Sequence, residues 1–306
     1  MTSRNHSRMV LAGLSIALGA GMSGALAAPA SADVSTTDAA YRGTYLPGLI
    51  AQLEKGRPDR GLRAIGLTQG QRLVRFDVDR PGSAELIGRV RLTGGEDLVG
   101  IDYRVQDGRL YGVGDEGGVF VLSTRTAVAT RVGRLSVALQ GSFFGVDFNP
   151  AADRLRIISD EGQNLRHNVN DGTTIVDGTL TYPPSATTAR GVTGAAYTNN
   201  DLDSATATTL FDIDTLLDQV AVQSPANSGQ LAATGRLGVD SGIRAGFDIY
   251  STVRGGRTVA NEGFAVLPVD GRRTVFSVDA LTGTATPLGS FRGYRVTDIA
   301  LPLGQR

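Results

Sequence analysis

The chain has 306 residues, no cysteine, no tryptophan and two histidines, and its 30 basic residues balance 30 acidic ones. Without cysteine there is no disulfide, no thiol nucleophile and no thiolate metal site. Near-neutral charge, with no basic run interleaved with aromatics, argues against nucleic acid as a partner.

Residues 1–32 read as a cleavable signal peptide. Arg4 and Arg8 give a basic start, an apolar run follows from Met9, and the small-x-small sites Ala25-Leu26-Ala27 and Ala30-Ser31-Ala32 end it. The run is short and glycine-broken for a membrane span, so cleavage after Ala32 and secretion are expected, against an uncleaved anchor. Losing Arg4 and Arg8 leaves 28 basic residues against 30 acidic, and losing His6 leaves His167 as the one imidazole. A site that needs two imidazoles is thereby excluded. The mature chain then has no membrane span and is expected to be a monomer. Residues 33–62 form an N-terminal extension in which 46–53 could make one short helix.

From residue 63 to residue 303 the chain repeats. Gly82 and Gly88, Gly172 and Gly178, Gly229 and Gly235, and Gly283 and Gly289 are four copies of one Gly-x5-Gly spacing, and Ala127 with Gly133 is a fifth with its first glycine lost. Gly88, Gly133 and Gly178 stand 45 residues apart, and later intervals stretch to 57 and 54. A second series runs in phase with the first. Gly100-Ile101-Asp102-Tyr103, Gly145-Val146-Asp147-Phe148 and Gly246-Phe247-Asp248-Ile249 share a pattern, Val296-Thr297-Asp298-Ile299 keeps the Asp, and Gly194-Ala195-Ala196-Tyr197 keeps the Gly.

Each unit reads as four short strands between turn residues. In the second unit these are 99–104, 109–114, 119–124 and 127–132; in the first, strand-like runs cover 64–68, 72–79 and 86–92. Four strands per unit of this length predict an all-β protein, a β-propeller of five blades, with six if the long fifth unit hides another. A sandwich or an open solenoid are the other architectures. The last run, 296–301, matches the first strand of a unit, so it should complete the first blade and close the ring.

The segment Phe144-Gly145-Val146-Asp147-Phe148-Asn149-Pro150, continuing through Arg154-Leu155-Arg156 and Ser159-Asp160-Glu161-Gly162-Gln163-Asn164 to Asn170-Asp171-Gly172, is distinctive. It resembles the signature of a bacterial family known as domain of unknown function 4394, over about residues 62–303. The resemblance implies a secreted, propeller-like domain and supplies no catalytic positions.

Three groups of residues carry chemistry. Asp102, Asp147, Asp248 and Asp298 recur on what should be the innermost strand, where four carboxylates could gather and recruit Ca²⁺, the one candidate cofactor. The structural alternative, favoured here, is that each accepts backbone N–H bonds or pairs with an Arg to fix blade to blade. Asn199-Asn200-Asp201-Leu202-Asp203 echoes the start of a calcium loop, but Ser204 stands where Gly is required and Leu210 where Glu is, so a polar turn is expected. The loops Asp115-Glu116-Gly117 and Asp160-Glu161-Gly162, with Asn164 and Arg166 beyond, could be neighbouring lips of one pocket or simply tight hairpin turns.

The leading functional expectation is a secreted, non-catalytic binding or scaffold domain. Its ligand, a glycan, a peptide or an envelope component, would contact Glu116, Glu161, Asn164 and Arg166. The rival is an extracellular glycan hydrolase with paired carboxylates, drawn from the six glutamates or the aspartates. A purely structural envelope protein is a third reading.

Overall fold

The computed structural model describes residues 61–306, so the expected signal peptide and the 46–53 helix lie outside the described residues. Short runs of β-branched and aromatic residues, separated by Gly, Asn and Asp in turns, form five sheets of four antiparallel strands. Blade I takes its innermost strand from the chain end, Val296–Ala300, and then runs outward through Arg63–Thr68, Arg72–Asp77 and Glu85–Arg89. Blades II, III, IV and V start from the inner strands Leu98–Arg104, Phe144–Asn149, Val192–Tyr197 and Gly246–Arg254 and finish before the next begins. The fold is therefore a five-bladed β-propeller closed as the sequence predicts.

One boundary moves. The outer strand of blade II is Ala129–Arg134, two residues later than 127–132, because Ala127 adopts φ 58° and its N–H closes a turn onto Ser123 O at 2.8 Å.

A blade has two faces and cannot bury both alone. Each of the five hydrophobic clusters accordingly draws on two neighbouring blades; Leu67, Leu73 and Ala300 of blade I, for instance, pack with Leu98, Ile101 and Phe120 of blade II. Stability is thus a sum over five seams more than over five blades.

The Gly-x5-Gly repeat is explained at the rim. At four seams the second glycine of one blade lies against the turn at the first position of the next, backbone on backbone at Gly178 and Gly235, and against the Pro81 ring at Gly289. A Cβ on Gly178 of blade III would stand 2.5 Å from Ser228 O, beside Gly229 of blade IV, and Gly235 meets Thr282 and Gly283 of blade V in the same way. At the seam from blade II to blade III, a Cβ on Gly133 would meet Val119 Cβ at 3.9 Å and His167 Nε2 at 4.0 Å, ordinary contacts, and here the glycine is not sterically required.

Candidate functional site

The second repeat, Gly-x-Asp, is explained at the hub. In an inner strand the Gly and the Asp two residues later share a face, and both are turned toward the next blade. The glycine lets two inner strands approach: a Cβ on Gly145 would be 2.7 Å from Ala195 N, and one on Gly246 would be 2.5 Å from Asp298 Cα. The aspartate then crosses the gap that the glycine has narrowed.

Each of the four aspartates accepts a backbone N–H from the following blade. Asp298 of blade I receives Ile101 N at 2.8 Å, and Asp102 of blade II receives Phe148 N at 2.7 Å. Asp147 of blade III receives Tyr197 N at 3.0 Å, and Asp248 of blade V receives Leu301 N at 2.6 Å, joining the last blade to the first. Four of the five seams are therefore latched by one carboxylate each.

The carboxylates also meet one another. Asp102, Asp147 and Asp248 each offer an oxygen within 4.8 Å of the others, and all four aspartates are only 3–6% exposed. Burial, and then repulsion from Asp248, pushes Asp102 well above the usual carboxylate range; burial, then Asp102 and Asp248, does the same to Asp147. Burial lifts Asp248 to about 7 and Asp298 to about 8, against the hydrogen bonds they accept. Such a cluster can hold protons at neutral pH, and its three converging oxygens are of the kind that could hold a hard cation.

The fifth seam, from blade IV to blade V, lacks this device because Ala196 occupies the aspartate's place. Thr193 Oγ1 accepts Ala245 N at 3.1 Å instead. Most of the work falls to the Asn199–Asp203 segment that the sequence offers as a calcium-loop echo. Asn199 N donates to Asn261 Oδ1 at 3.0 Å and Asn261 returns a bond to Asn199 Oδ1 at 2.8 Å. Asn200 donates to Ser251 Oγ and to Ile249 O, Asp201 accepts Thr258 N at 2.8 Å, and Asp203 pairs with Arg257. These oxygens are used in holding two blades together, as an elaborated polar turn.

The four other candidate residues separate into two environments. Asp115 and Asp160 cap incoming loops through Asp97 N and through Ser142 N and Phe143 N, which fixes the turns that carry Glu116 and Glu161. Glu116 is exposed, and Glu161 pairs with exposed Arg190. Asn164 and Arg166, by contrast, face internal partners. Asn164 is buried and bonds Arg156, Gly178 O and Ala226 O, while Arg166 holds Asp177 through two bonds of 2.5 and 2.9 Å. They belong to a network around Arg156, 1% exposed, which also reaches Tyr197 and Asn227 of blade IV. His167 is buried too, with Nδ1 at 2.9 Å from Thr174 Oγ1, and burial lowers its pKa.

Sequence reading missed a group of arginines on the face where Glu116 and Glu161 stand. Arg244, Arg272, Arg273, Arg292 and Arg295 are spread over about 50 residues and show no run or motif. Arg272 and Arg273 open the third strand of blade V, Arg292 and Arg295 follow its fourth, and the pairing of those two strands makes them neighbours.

Comparison with known proteins gives a family and no chemistry. No curated protein matches the chain. A solved structure from Bacteroides thetaiotaomicron VPI-5482, a structural genomics protein of unknown function, is similar with a TM-score of 0.45 and 14% identity. The match covers 81% of this chain and 66% of that one, so this chain spans just under two thirds of its relative's length. The sequence profile of the family "Domain of unknown function (DUF4394)" matches residues 72–300, most of the propeller, and the chain belongs to that family.

Proposed function

We propose that this propeller is a secreted, non-catalytic binding module whose ligand sits on the face formed by the inter-blade loops and the turns between second and third strands. The observation that supports this reading is the division of labour inside the Asp-Glu-Gly turns. Asp115 and Asp160 are spent on backbone capping, and the glutamates that follow them are left outward on a fixed frame. Glu116 makes no ion pair among the described residues, and Glu161 makes only an exposed one, which contributes little to folding. Charged groups held rigidly and not needed for stability are suited to recognition.

The glycan-hydrolase alternative draws no support from the hub. Its carboxylates are close enough to act as a pair, yet they are buried and each is engaged by a neighbouring strand. The test of the binding reading is to probe glycan and peptide arrays with the labelled protein and with a Glu116→Gln, Glu161→Gln variant. The expected result is retained melting temperature with signal lost from the bound features. An unchanged pattern of binding by the variant would remove these turns from the site.

A further inference from the structure

The arginines of the loop face are the strongest unexplained feature of the molecule. Arg244 comes from the loop entering blade V, Arg272 and Arg273 open its third strand, and Arg292 and Arg295 come from the loop into blade I. Arg272, Arg273 and Arg295 line a cleft of about 570 Å³ together with Phe291 and Tyr294. Arg272 and Arg292 border a second cleft of about 470 Å³ that shares Phe291. Arg244 lies on the inner side, its guanidinium carbon 5.8 Å from the ring centre of Phe143, which comes from the loop into blade III.

Charge on this surface is not compensated from within. Among the described residues, none of the five forms an ion pair with a carboxylate, whereas Arg104, Arg156 and Arg166 all do. Asp270, in the same turn as Arg272, forms none. Burial and then the charges of Arg244 and Arg295 hold Arg273 below its usual range; burial lowers Arg244 as well, against the pull of Asp298. Like charges gathered in a partly buried cleft are unfavourable unless something of opposite sign offsets them. The guanidinium fork matches oxyanions in shape, and a phosphate offers enough oxygens to satisfy several forks together.

We infer that this cleft binds a multiply charged oxyanion, a phosphate-ester or diphosphate group, held between Arg272, Arg273 and Arg295. The inference rests on the reading of the loop face as the binding face, and it supplies the chemical class of part of the ligand. The group could be free or carried at the end of a phosphate-linked polymer.

Calorimetric titration at low ionic strength with inorganic pyrophosphate, with short-chain polyphosphate and with malonate tests it. Pyrophosphate is expected to bind at one site at least tenfold more tightly than malonate. In an Arg273→Ala, Arg295→Ala variant that melts like the wild type, affinity should fall at least tenfold, and Arg295→Ala alone, at an exposed residue, gives the same direction if the double variant misfolds. Tighter binding of polyphosphate than of pyrophosphate would point to a polymer-borne group, and equal binding to a free one. No heat with pyrophosphate, or an affinity that both variants leave unchanged, would overturn the inference. Binding of the arrays through Glu116 and Glu161 would survive that failure, and its loss with intact pyrophosphate binding would instead locate recognition at the arginines alone.

Discussion

Four seams of this ring and the fifth solve the same problem by different means. Where a blade carries Gly-x-Asp or its aspartate alone, one buried carboxylate spans the gap to the next backbone. Where blade IV carries Ala196, the Asn199–Asp203 loop makes several hydrogen bonds to blade V in place of one. The comparison teaches that the repeated aspartates are first of all latches. The seam without an aspartate is joined instead by hydrogen bonds made by Thr193 and the Asn199–Asp203 loop.

Glycine substitutions should separate the two kinds of seam most sharply. Gly145→Ala drives a methyl group into the backbone of Ala195 and Gly194, with neither atom on a flexible side chain. It should cost about 3 kcal/mol or more, the upper range for overpacking. Gly194→Ala, at the fifth seam, meets Phe247 Cβ at 3.0 Å and Ala245 Cβ at 3.4 Å, and should cost much less. Urea unfolding of the two variants measures the difference, and equal losses would show that close approach of inner strands is not what the glycines provide.

The polar latch of the fifth seam should have a smaller effect. Asn261→Ala removes the acceptor of Asn199 N and of Ser251 Oγ and the donor to Asn199 Oδ1, all at a buried position. A loss of about 2 kcal/mol is expected from unsatisfied buried groups, read from the same unfolding curves. A loss near zero would mean that the loop merely covers blade V.

These expectations also mark what was readable beforehand. The blade count and the ring closure were legible because both glycine series run in phase and because 296–301 matches the first strand of a unit. The convergence of Asp102, Asp147 and Asp248 was legible for the same reason, since a repeated position on an innermost strand must face the axis. The partners of Asn164 and Arg166 were not legible. Asp177 lies eleven residues from Arg166, and Ala226, which bonds Asn164, belongs to another blade. Nor was the arginine cleft: Arg272 and Arg273 open one strand of blade V and Arg295 follows the next, positions that neither repeat marks. Local pattern specifies strands and seams; the loop face is decided by contacts distant in sequence, and it is there that the proposed binding chemistry lies.

The pH dependence of stability tests the latch account most directly. A carboxylate whose pKa is raised on folding favours the native state fully below its unfolded value near 4, and that advantage is lost as pH rises through the folded value. With Asp248 at about 7, Asp298 at about 8 and Asp102 and Asp147 also raised, stability should fall from about pH 4 to about pH 8. His167, lowered by burial, acts in the opposite sense below about pH 6.5 but is one group against six raised carboxylates, since burial raises Asp212 and Asp214 as well. Melting temperatures of the wild type and of Asp248→Asn should be compared from pH 4 to pH 8.5, in chelator and in calcium. Asn carries no charge and keeps one oxygen for Leu301 N, at the loss of the oxygen that accepts Ile249 N, so the account predicts a shallower pH slope in the variant. It also predicts that the difference in melting temperature between wild type and variant shifts in the variant's favour from pH 4 to pH 8, with or without calcium. A wild type that gains several degrees in calcium at pH 8, with the gain lost in Asp248→Asn, would contradict it and make the hub an ion site.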